Sequence, residues 1–349
     1  MSTRSKLSGV SRFSLLVVIF LSGCAAIQGG GERSVGRFEF GLMGDQQYTP
    51  QSEAQFPNLV DELNRANLAF VVHVGDFKEG ATPCSDETFN RRKEQFQSSK
   101  HPFIYTPGDN EWTDCHGAKP PSDPLERLAK LRELFFRGDH SLGGRILPLT
   151  RQSSDPQYGK FRENVRWLYG DVVFVTLHIV GSNNNLGRTP EMDREYAERN
   201  GANLAWMRQV FDLAKRNGHR AIVLITQANP RFVDTWPPRL WRLYLGAPVE
   251  PPKEKRKTGY ADFLQALEKE VLAFDKSVVL MHGDTHIFRV DKPLLGSKSM
   301  RMVENFTRVE TFGAPDSHWV RVIVDPDDPN LFTFKPEIVK KNLVDHQAK

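Results

Sequence analysis

The sequence predicts an α/β protein in which two β-sheets pack together and helices cover their outer faces. In the first two thirds of the chain, apolar runs such as 38–43 and 69–74 alternate with segments whose apolar residues recur at helical spacing. That alternation is typical of parallel strand, helix and strand units. The final third shows the period-two alternation of half-buried strands. With 39% hydrophobic and 26% charged residues, the chain has the composition of a globular protein with a full core.

The first predicted helix follows the strand at 38–43. It should run to about residue 66, and Pro57 fits best in its first turn, which predicts a start near residue 55. Its apolar residues at helical spacing are Phe56, Leu59, Val60 and Leu63.

Two further helices are predicted before residue 136. Ser85 or Asp86 can cap a polar helix that runs to about residue 97, and Asp123-Pro124 supplies a cap and a favoured first residue for the next one. The buried stripe of that helix is Leu125, Leu128, Leu131 and Phe135. The stretch 138–158, rich in Gly, Pro and Ser, should be irregular.

The second half continues the alternation. A buried strand at 172–178 precedes a helix at 202–217 that Gly218 ends, and another helix is expected at 260–274. The Pro-rich stretch 236–257 before that helix has the character of a lid or binding loop. The later strands, which should extend a second sheet, are expected at 301–303, 308–312, 320–324 and 331–334.

The N-terminus is an export signal. An apolar run at 13–21 follows three cations and is too short for the roughly 20 apolar residues of a spanning helix. Leu21-Ser22-Gly23-Cys24 resembles the bacterial lipobox, which implies cleavage before Cys24 and lipidation of its thiol. Ala25 in the next position favours the outer membrane. The three cations are Arg4, Lys6 and Arg12.

These features predict a lipoprotein signal peptide at 1–23, a flexible tether at 24–35 and a single domain at 36–340. The protein is expected in the bacterial cell envelope, held by its lipid anchor at the periplasmic face of the outer membrane. Loss of the signal removes three cations and no acid, so the formal charge falls from +4 to +1. Bulk charge therefore predicts no nucleic-acid binding.

Two cysteines remain once Cys24 is assigned to lipid. Cys84 and Cys115 form an even pair in an oxidising compartment, which predicts a disulfide. Two free buried thiols are the alternative, because a sequence does not show whether two Cα atoms lie within bonding distance.

Polar residues follow five apolar segments at their carboxyl ends. In an α/β sheet these ends face the crevice where ligands bind. One Gly-Asp is an ordinary turn, but its recurrence favours a shared site. The residues are Asp45, Asp76, Asp109, Gln227, Asp284 and His286. The polar run 181–185 could approach this site, and turn chemistry explains that run equally well.

Several converging carboxylates repel one another unless cations lie among them. Two metal ions about 4 Å apart can generate a nucleophile and clamp a phosphoryl group. The motif order resembles that of the calcineurin-like metallophosphoesterases, which runs Asp-x-His, Gly-Asp, Gly-Asn-His-Glu/Asp, a lone His and Gly-His-x-His. The matching stretches are Asp45-Gln46-Gln47, Gly75-Asp76, Gly108-Asp109-Asn110-Glu111, Gln227 and Gly283-Asp284-Thr285-His286.

The resemblance covers roughly residues 38–290. It implies two packed mixed β-sheets flanked by helices, a metallophosphoesterase-like four-layer sandwich. It also implies hydrolysis of a phosphomonoester or phosphodiester by a metal-bound hydroxide at a dinuclear site. By position, Asp76 would bridge the two metals. The other ligands would be Asp45, Gln47 and His286 for one ion, and Asp109, Gln227 and Asp284 for the other.

This sequence departs from the family pattern at five positions. The family has histidine where Gln47, Asn110, Gln227 and Asp284 stand here, and asparagine where Asp109 stands. The ligand set therefore shifts from imidazole toward oxygen, which favours Mn²⁺, Mg²⁺ or Ca²⁺ over zinc.

Asn110 occupies the position of the family histidine that contacts substrate and assists the leaving group. An amide donates a hydrogen bond but does not act as a general acid near neutral pH. The candidates for that role are Glu111, His116 and His318, each of which could instead be an ordinary core or surface residue. Phosphate oxygens could be held by Arg231, Arg289 and Lys292, for which structural salt bridges are the alternative.

Three hypotheses follow for the function. The first is a metal-dependent phosphoesterase acting on a phosphorylated small molecule or a phosphodiester. The second is a catalytically weakened relative that binds a phosphorylated ligand or uses its metals structurally. The third is an envelope scaffold in which the acidic turns are unrelated in space.

Overall fold

The computed structural model describes residues 36–232 and 258–344. The expected signal peptide, the tether with Cys24 and the whole of the Pro-rich stretch 236–257 lie outside the described residues. Within the described ranges, no helix combines the length and the apolar character that crossing a membrane requires.

The described residues form twelve strands and five regular α-helices. The strands are β1 (Phe38–Met43), β2 (Val71–His73), β3 (Phe103–Tyr105), β4 (Thr150–Arg151), β5 (Val165–Tyr169), β6 (Val172–Thr176), β7 (Ala221–Ile225), β8 (Ser277–His282), β9 (Arg289–Asp291), β10 (Phe306–Glu310), β11 (Trp319–Val324) and β12 (Phe332–Glu337). The helices are α1 (Pro50–Arg65), α2 (Asp86–Gln97), α3 (Pro124–Phe135), α4 (Pro190–Asn217) and α5 (Ala261–Phe274).

The strands make two mixed sheets. The first has five strands in the order β12-β11-β1-β2-β3, and the second has seven in the order β4-β5-β6-β7-β8-β10-β9. β1, β2 and β3 are parallel to one another, as are β6, β7, β8 and β10. The carboxyl ends of the parallel strands in each sheet therefore lie at one edge of that sheet.

Three hydrophobic cores separate four layers. One core lies between the sheets, where Phe40 and Phe70 of the first sheet pack against Phe174 of the second. A second core joins the first sheet to α1, α2 and α3, and a third joins the second sheet to α4 and α5. The predicted fold class, two packed mixed sheets flanked by helices, is confirmed.

Several helix boundaries match the sequence expectation. Ser85 caps α2 by accepting a hydrogen bond from the backbone of Thr88, and Asp123 caps α3. Gly218 ends α4 with a left-handed φ of 74°. In each case the capping residue stands directly beside the apolar pattern that defines the helix.

Two predicted helix starts were wrong. Helix α1 begins at Pro50 rather than near residue 55, because Thr49 forms a capping box with Ser52 and Pro50 occupies the first turn. Pro57 lies inside the helix. Helix α4 begins twelve residues before the expected start at 202, where Thr189 and Pro190 supply an equivalent beginning.

The last strands do not all join the second sheet as predicted. Only β10 does so, beside β8. β11 and β12 extend the first sheet, because β11 pairs antiparallel with β1 over five residue pairs, from Phe38 with Val324 to Leu42 with Val320. The stretch 301–303 contributes only an isolated bridge between Met302 and Leu295.

Candidate active site

Four aspartates from the strand ends lie together between the two sheets. The backbone N–H of Asp284 donates to Asp45 Oδ1 at 2.9 Å, and Gln227 Nε2 donates to Asp76 Oδ2 at 3.1 Å. Asp109 is close enough to both Asp45 and Asp76 to raise the pKa of each carboxyl. This convergence excludes the hypothesis of spatially unrelated turns.

Glycine allows the backbone to approach these carboxylates closely. A Cβ atom on Gly283 would lie 1.8 Å from Asp45 Oδ2, and one on Gly108 would lie 2.0 Å from Asp76 Oδ1. Both glycines stand in the Gly-Asp pattern that the sequence repeats. The pattern therefore has a steric reason, because any side chain there would displace the carboxylate of a neighbouring loop.

The cluster holds more negative charge than its surroundings compensate. Burial is the main reason why the pKa values of Asp45, Asp76 and Asp109 lie well above the usual range for a carboxyl, and repulsion from neighbouring carboxylates raises them further. Burial also raises the pKa of Asp284 to about 6. Such groups bind protons or cations near neutral pH.

Replacing Asp284 with asparagine should stabilise the cation-free protein by about 1–2 kcal/mol at neutral pH and leave it unchanged near pH 3. The folded-state pKa of about 6 exceeds the ordinary 3.8, so ionisation above that pH favours the unfolded chain. Below the ordinary value the carboxyl is protonated in both states. Partial exposure of the side chain reduces the effect below the full shift.

Urea unfolding in EDTA at about pH 7.5 and pH 3 measures this difference. Asp212→Asn is the matched control, because Asp212 is exposed on α4 and lies outside the cluster. An Asp284→Asn variant no more stable than the wild type at pH 7.5 would show that the carboxylates do not repel one another as described.

Asp76 is surrounded by hydrogen-bond donors. The Tyr48 hydroxyl donates to Asp76 Oδ2 at 3.0 Å and accepts from Asn110 Nδ2 at 2.9 Å. The backbone N–H of Asn110 donates to Asp76 Oδ1 at 3.1 Å. Sequence reasoning missed Tyr48, since nothing in the motif order indicates an aromatic residue one position after Gln47.

The two glutamines at family histidine positions turn their amide nitrogens toward acceptors. Gln227 Oε1 accepts from the backbone N–H of Gly181 at 2.7 Å, so its Nε2 must face Asp76. Gln47 Nε2 donates to Glu53 Oε2 at 3.1 Å and to Gln95 Oε1 at 3.0 Å. In this arrangement Gln227 does not offer its oxygen to the cluster. Gln47 Oε1, by contrast, is buried and has no hydrogen-bond partner among the described residues, so it stays open to a cation.

Asp45 and His286 form a pair with the character of a cation site. His286 Nδ1 donates to the carbonyl oxygen of Ala314 at 2.6 Å, so Nε2 carries the lone pair, and it lies 3.7 Å from Asp45 Oδ1. A carbonyl oxygen that accepts from one ring nitrogen commonly orients the other nitrogen of a histidine toward a metal ion. Asp45 Oδ2 is buried and has no hydrogen-bond partner among the described residues.

The residues therefore fit one hard cation beside Asp45 and His286, and they do not fit a second cation in the family position at Gln227. As they stand, no three His, Cys, Asp or Glu side chains of residues 36–232 and 258–344 form a ready-made group for an ion. Uptake of a cation would have to draw further oxygen ligands toward this pair.

The candidates for the general acid occupy different places. Glu111 is fully buried beneath the site, where it accepts from Gly108 N and Tyr105 Oη, both at 2.7 Å. His116 is exposed, and its Nδ1 contacts Thr113 O and the Arg188 guanidinium. His318 accepts from the backbone of Val339 and packs on Phe312. Asn110 and Glu111 both contact the cluster, since the backbone N–H of Asn110 donates to Asp76 Oδ1 and Glu111 accepts from the backbone N–H of Asp76, each at 3.1 Å.

The three candidate phosphate-binding cations are also separated. Arg231 is exposed, and its charge lowers the pKa of Asp284. Arg289 pairs with Glu310 at 2.6 Å. Lys292 donates to backbone carbonyls of Glu304 and Phe306, which occupies its ammonium group away from the aspartates.

The predicted disulfide between Cys84 and Cys115 is confirmed, with the two Cα atoms 5.9 Å apart. It links the segment before α2 to the short 3₁₀ helix Thr113–His116 that follows Asp109 and Asn110. The bond therefore holds one wall of the site.

A second feature missed in the sequence is Lys78, whose side chain is fully buried near the cluster. Its Nζ donates to the carbonyl oxygen of Glu79 at 2.9 Å. Burial lowers the pKa of the ammonium, while Glu111, Asp76 and Asp114 oppose that shift. A lysine two residues after a Gly-Asp turn carries no recognisable signal of such burial.

Comparison with protein-family models and with curated proteins gave no match. Among solved structures, PhoD aligns with a TM-score of 0.51 and 12% identity over 87% of this chain and 69% of PhoD. GAP50, the anchor in the inner membrane complex of Plasmodium, aligns over 89% of this chain and 87% of its own, with a TM-score of 0.48 and 12% identity.

A 5'-nucleotidase from Candida albicans aligns over 85% of this chain and 50% of its own, with a TM-score of 0.44 and 12% identity. The likeness to PhoD shows the fold alone at this level of identity. The chain has a metallophosphoesterase-like fold.

Proposed function

We propose that this protein is a metal-dependent phosphoesterase that acts outside the cytoplasm. One observation carries the proposal: four strand-end aspartates converge between the two sheets of a metallophosphoesterase-like fold, and two of their buried oxygens, Asp45 Oδ2 and Asp109 Oδ1, lack any hydrogen-bond donor among the described residues. An anionic ester cannot approach such a cluster unless positive charge is added to it.

Asp45 and His286 would hold a hard divalent cation, beside Asp76. The cation, when bound, supplies charge that offsets the carboxylates and polarises a phosphoryl oxygen. The chain itself orients the ester. Asn110 Nδ2 donates one N–H to the Tyr48 hydroxyl, which itself donates to Asp76, and its second N–H can donate to the ester. The exposed Arg231, whose charge acts on Asp284, could attract the negative ester.

The cellular place is proposed on two grounds. A disulfide between Cys84 and Cys115 suits an oxidising compartment, and the lipobox-like stretch ending at Cys24 suits a lipid anchor. We place the protein in the bacterial envelope, at the periplasmic face of the outer membrane.

A weakened relative that binds a phosphorylated ligand is the second candidate. It is favoured by Gln227, whose amide nitrogen faces Asp76 where the family has an imidazole ligand, and by Asn110, whose amide does not serve as a general acid. This candidate predicts affinity for a phosphate ester without turnover.

The test measures hydrolysis of aryl phosphate monoesters and diesters by the full chain in detergent, with Mn²⁺, Mg²⁺, Ca²⁺ or Zn²⁺ added. We expect turnover with an oxygen-preferring cation. In Asp76→Asn we expect the rate of hydrolysis to fall by more than the roughly 10–100-fold that follows removal of a hydrogen-bond partner of a metal ligand. Asp212→Asn on α4 serves as the control and should retain full activity.

Turnover that persists in Asp76→Asn would place the chemistry elsewhere. If a correctly folded wild-type protein hydrolyses neither ester with any of the four cations, the phosphoesterase proposal is wrong. Retained affinity for the ester in that case would support the binding protein.

A further inference from the structure

A left-handed turn packs against Asp109. Four consecutive non-glycine residues have positive φ, namely Ser182 (48°), Asn183 (57°), Asn184 (54°) and Asn185 (68°). Such conformations are unfavourable for L-residues and persist only where the surroundings enforce them. A Cβ atom on the preceding Gly181 would lie 2.5 Å from Asp109 Oδ1, so the turn and this carboxylate are in direct contact.

The turn places the Ser182 hydroxyl between two carboxylates. Its Oγ lies 3.0 Å from Asp109 Oδ2 and 2.9 Å from Asp114 Oδ2. A hydroxyl has a single proton and can donate to only one of them. The carboxylate oxygen that does not receive this proton still lies about 3 Å from Ser182 Oγ, and that short oxygen–oxygen distance requires a cation or a second proton between the two atoms.

Asp109 supplies an independent indication of that partner. Its side chain is 6% exposed, and its Oδ1 has no hydrogen-bond partner among the described residues. A buried carboxylate oxygen without a donor is costly. Burial raises the pKa of the Asp109 carboxyl, and among the neighbouring charges Asp114 raises that pKa the most.

The two nearby cations act on these carboxylates only at a distance, and their hydrogen bonds go to other groups. Arg188 donates to Thr113 O and to Asn185 Oδ1, and Lys78 donates to Glu79 O. Within residues 36–232 and 258–344, neither Asp109 nor Asp114 has an ion-pair partner. The space beside Gly80 is bordered by further oxygen, because a Cβ atom there would lie 3.1 Å from Asn110 Oδ1 and 3.9 Å from Asp114 Oδ2.

We propose that Asp109, Asp114 and the Ser182 hydroxyl oxygen form a site for a hard divalent cation such as Mn²⁺, Mg²⁺ or Ca²⁺. Two carboxylates and a hydroxyl are oxygen ligands that such cations accept, with water completing the shell. Ser182 is exposed, so an ion can enter from solvent. The site shares no residue with the Asp45 and His286 pair, and it does not depend on ester hydrolysis.

This site also accounts for the orientation of Gln227. Its Oε1 accepts from the backbone N–H of Gly181, which leads directly into the turn that carries Ser182. The same hydrogen bond directs Nε2 toward Asp76 and away from a ligand role. The residue that does not fit a family metal site therefore helps to hold the turn of the proposed one.

The test is Mn²⁺ binding by the full chain in detergent, followed by electron paramagnetic resonance and calorimetry. Asp114→Asn and Ser182→Ala should each lower the affinity for one of the bound Mn²⁺ ions by about 10–100-fold. Asp45→Asn should retain that equivalent, and Asp212→Asn should bind as the wild type does. Ca²⁺ or Mg²⁺ should displace the ion. Neither Asp114 nor Ser182 is fully buried, and circular dichroism verifies that both variants are folded.

Wild-type affinity in both Asp114→Asn and Ser182→Ala would overturn this site, and so would a wild-type protein that binds no Mn²⁺ at millimolar concentration. Loss of binding in Asp45→Asn alone would support the cation of the proposed phosphoesterase while refuting this site. Loss in Asp114→Asn and Ser182→Ala without any ester hydrolysis would support this site and refute the phosphoesterase.

Discussion

Replacing Arg199 with leucine should lower the free energy of unfolding by about 3–5 kcal/mol. The guanidinium is fully buried on α4 and donates to Glu195, to the carbonyl oxygen of His178 and to both oxygens of Asn184. It also lies over the ring of Trp112 at 5.2 Å. Leucine fills part of the volume but leaves the Glu195 carboxylate and the left-handed turn without their donor.

Urea denaturation measures this loss, and Arg194→Leu is the matched control. Arg194 lies on the same helix and is exposed, so its replacement should change stability by less than about 0.5 kcal/mol. Similar small effects for both variants would mean that the buried guanidinium does not hold the turn. The Arg199→Leu variant should also weaken Mn²⁺ binding at Asp114, because Ser182 would lose its enforced position.

Removal of the disulfide should cost about 4 kcal/mol of stability. Cys84 and Cys115 close a loop with a sequence separation of 31 residues, and the chain-entropy relation for a loop of this length gives that magnitude. The variant is Cys84→Ser with Cys115→Ser, which leaves no unpaired thiol in the core. Both sulfur atoms are buried, so two serine hydroxyls there add a further cost.

Guanidinium unfolding with and without reductant measures this effect. Full reduction should lower the free energy of unfolding of the wild type toward that of the double variant. Reductant should leave the free energy of unfolding of the double variant unchanged. A double variant within 1 kcal/mol of the wild type would show that the bond does not restrain the unfolded chain as expected.

The general architecture was predictable because the periodicity of apolar residues reflects local burial. The stripe Leu128, Leu131 and Phe135 is buried on α3, and the run at 172–176 is a fully buried strand. Membership of a sheet was less predictable. The alternation at 320–324 shows one strand, but only the pairing of β11 with β1 assigns it to the first sheet.

The positions of the acidic residues were also predictable, since strand ends of a parallel sheet meet at one edge. The direction of each side chain was not. The residue type of Gln227 does not show whether its amide oxygen or its amide nitrogen faces Asp76. The backbone N–H of Gly181, which is distant in sequence, determines this orientation because it donates to the oxygen. The role of Gln47 likewise depends on Glu53 and Gln95 from two helices.

The layered α/β fold, the strand-end aspartates and the cysteine pair were predictable from the amino-acid sequence, because each depends on local patterns or on a simple count. Three contacts were found only in the folded chain: Tyr48 donates to Asp76, Arg199 holds the left-handed turn through Asn184, and Ser182 lies between Asp109 and Asp114. These contacts join segments tens of residues apart, and their hydrogen bonds depend on distance and direction in space, which residue types and spacing do not encode.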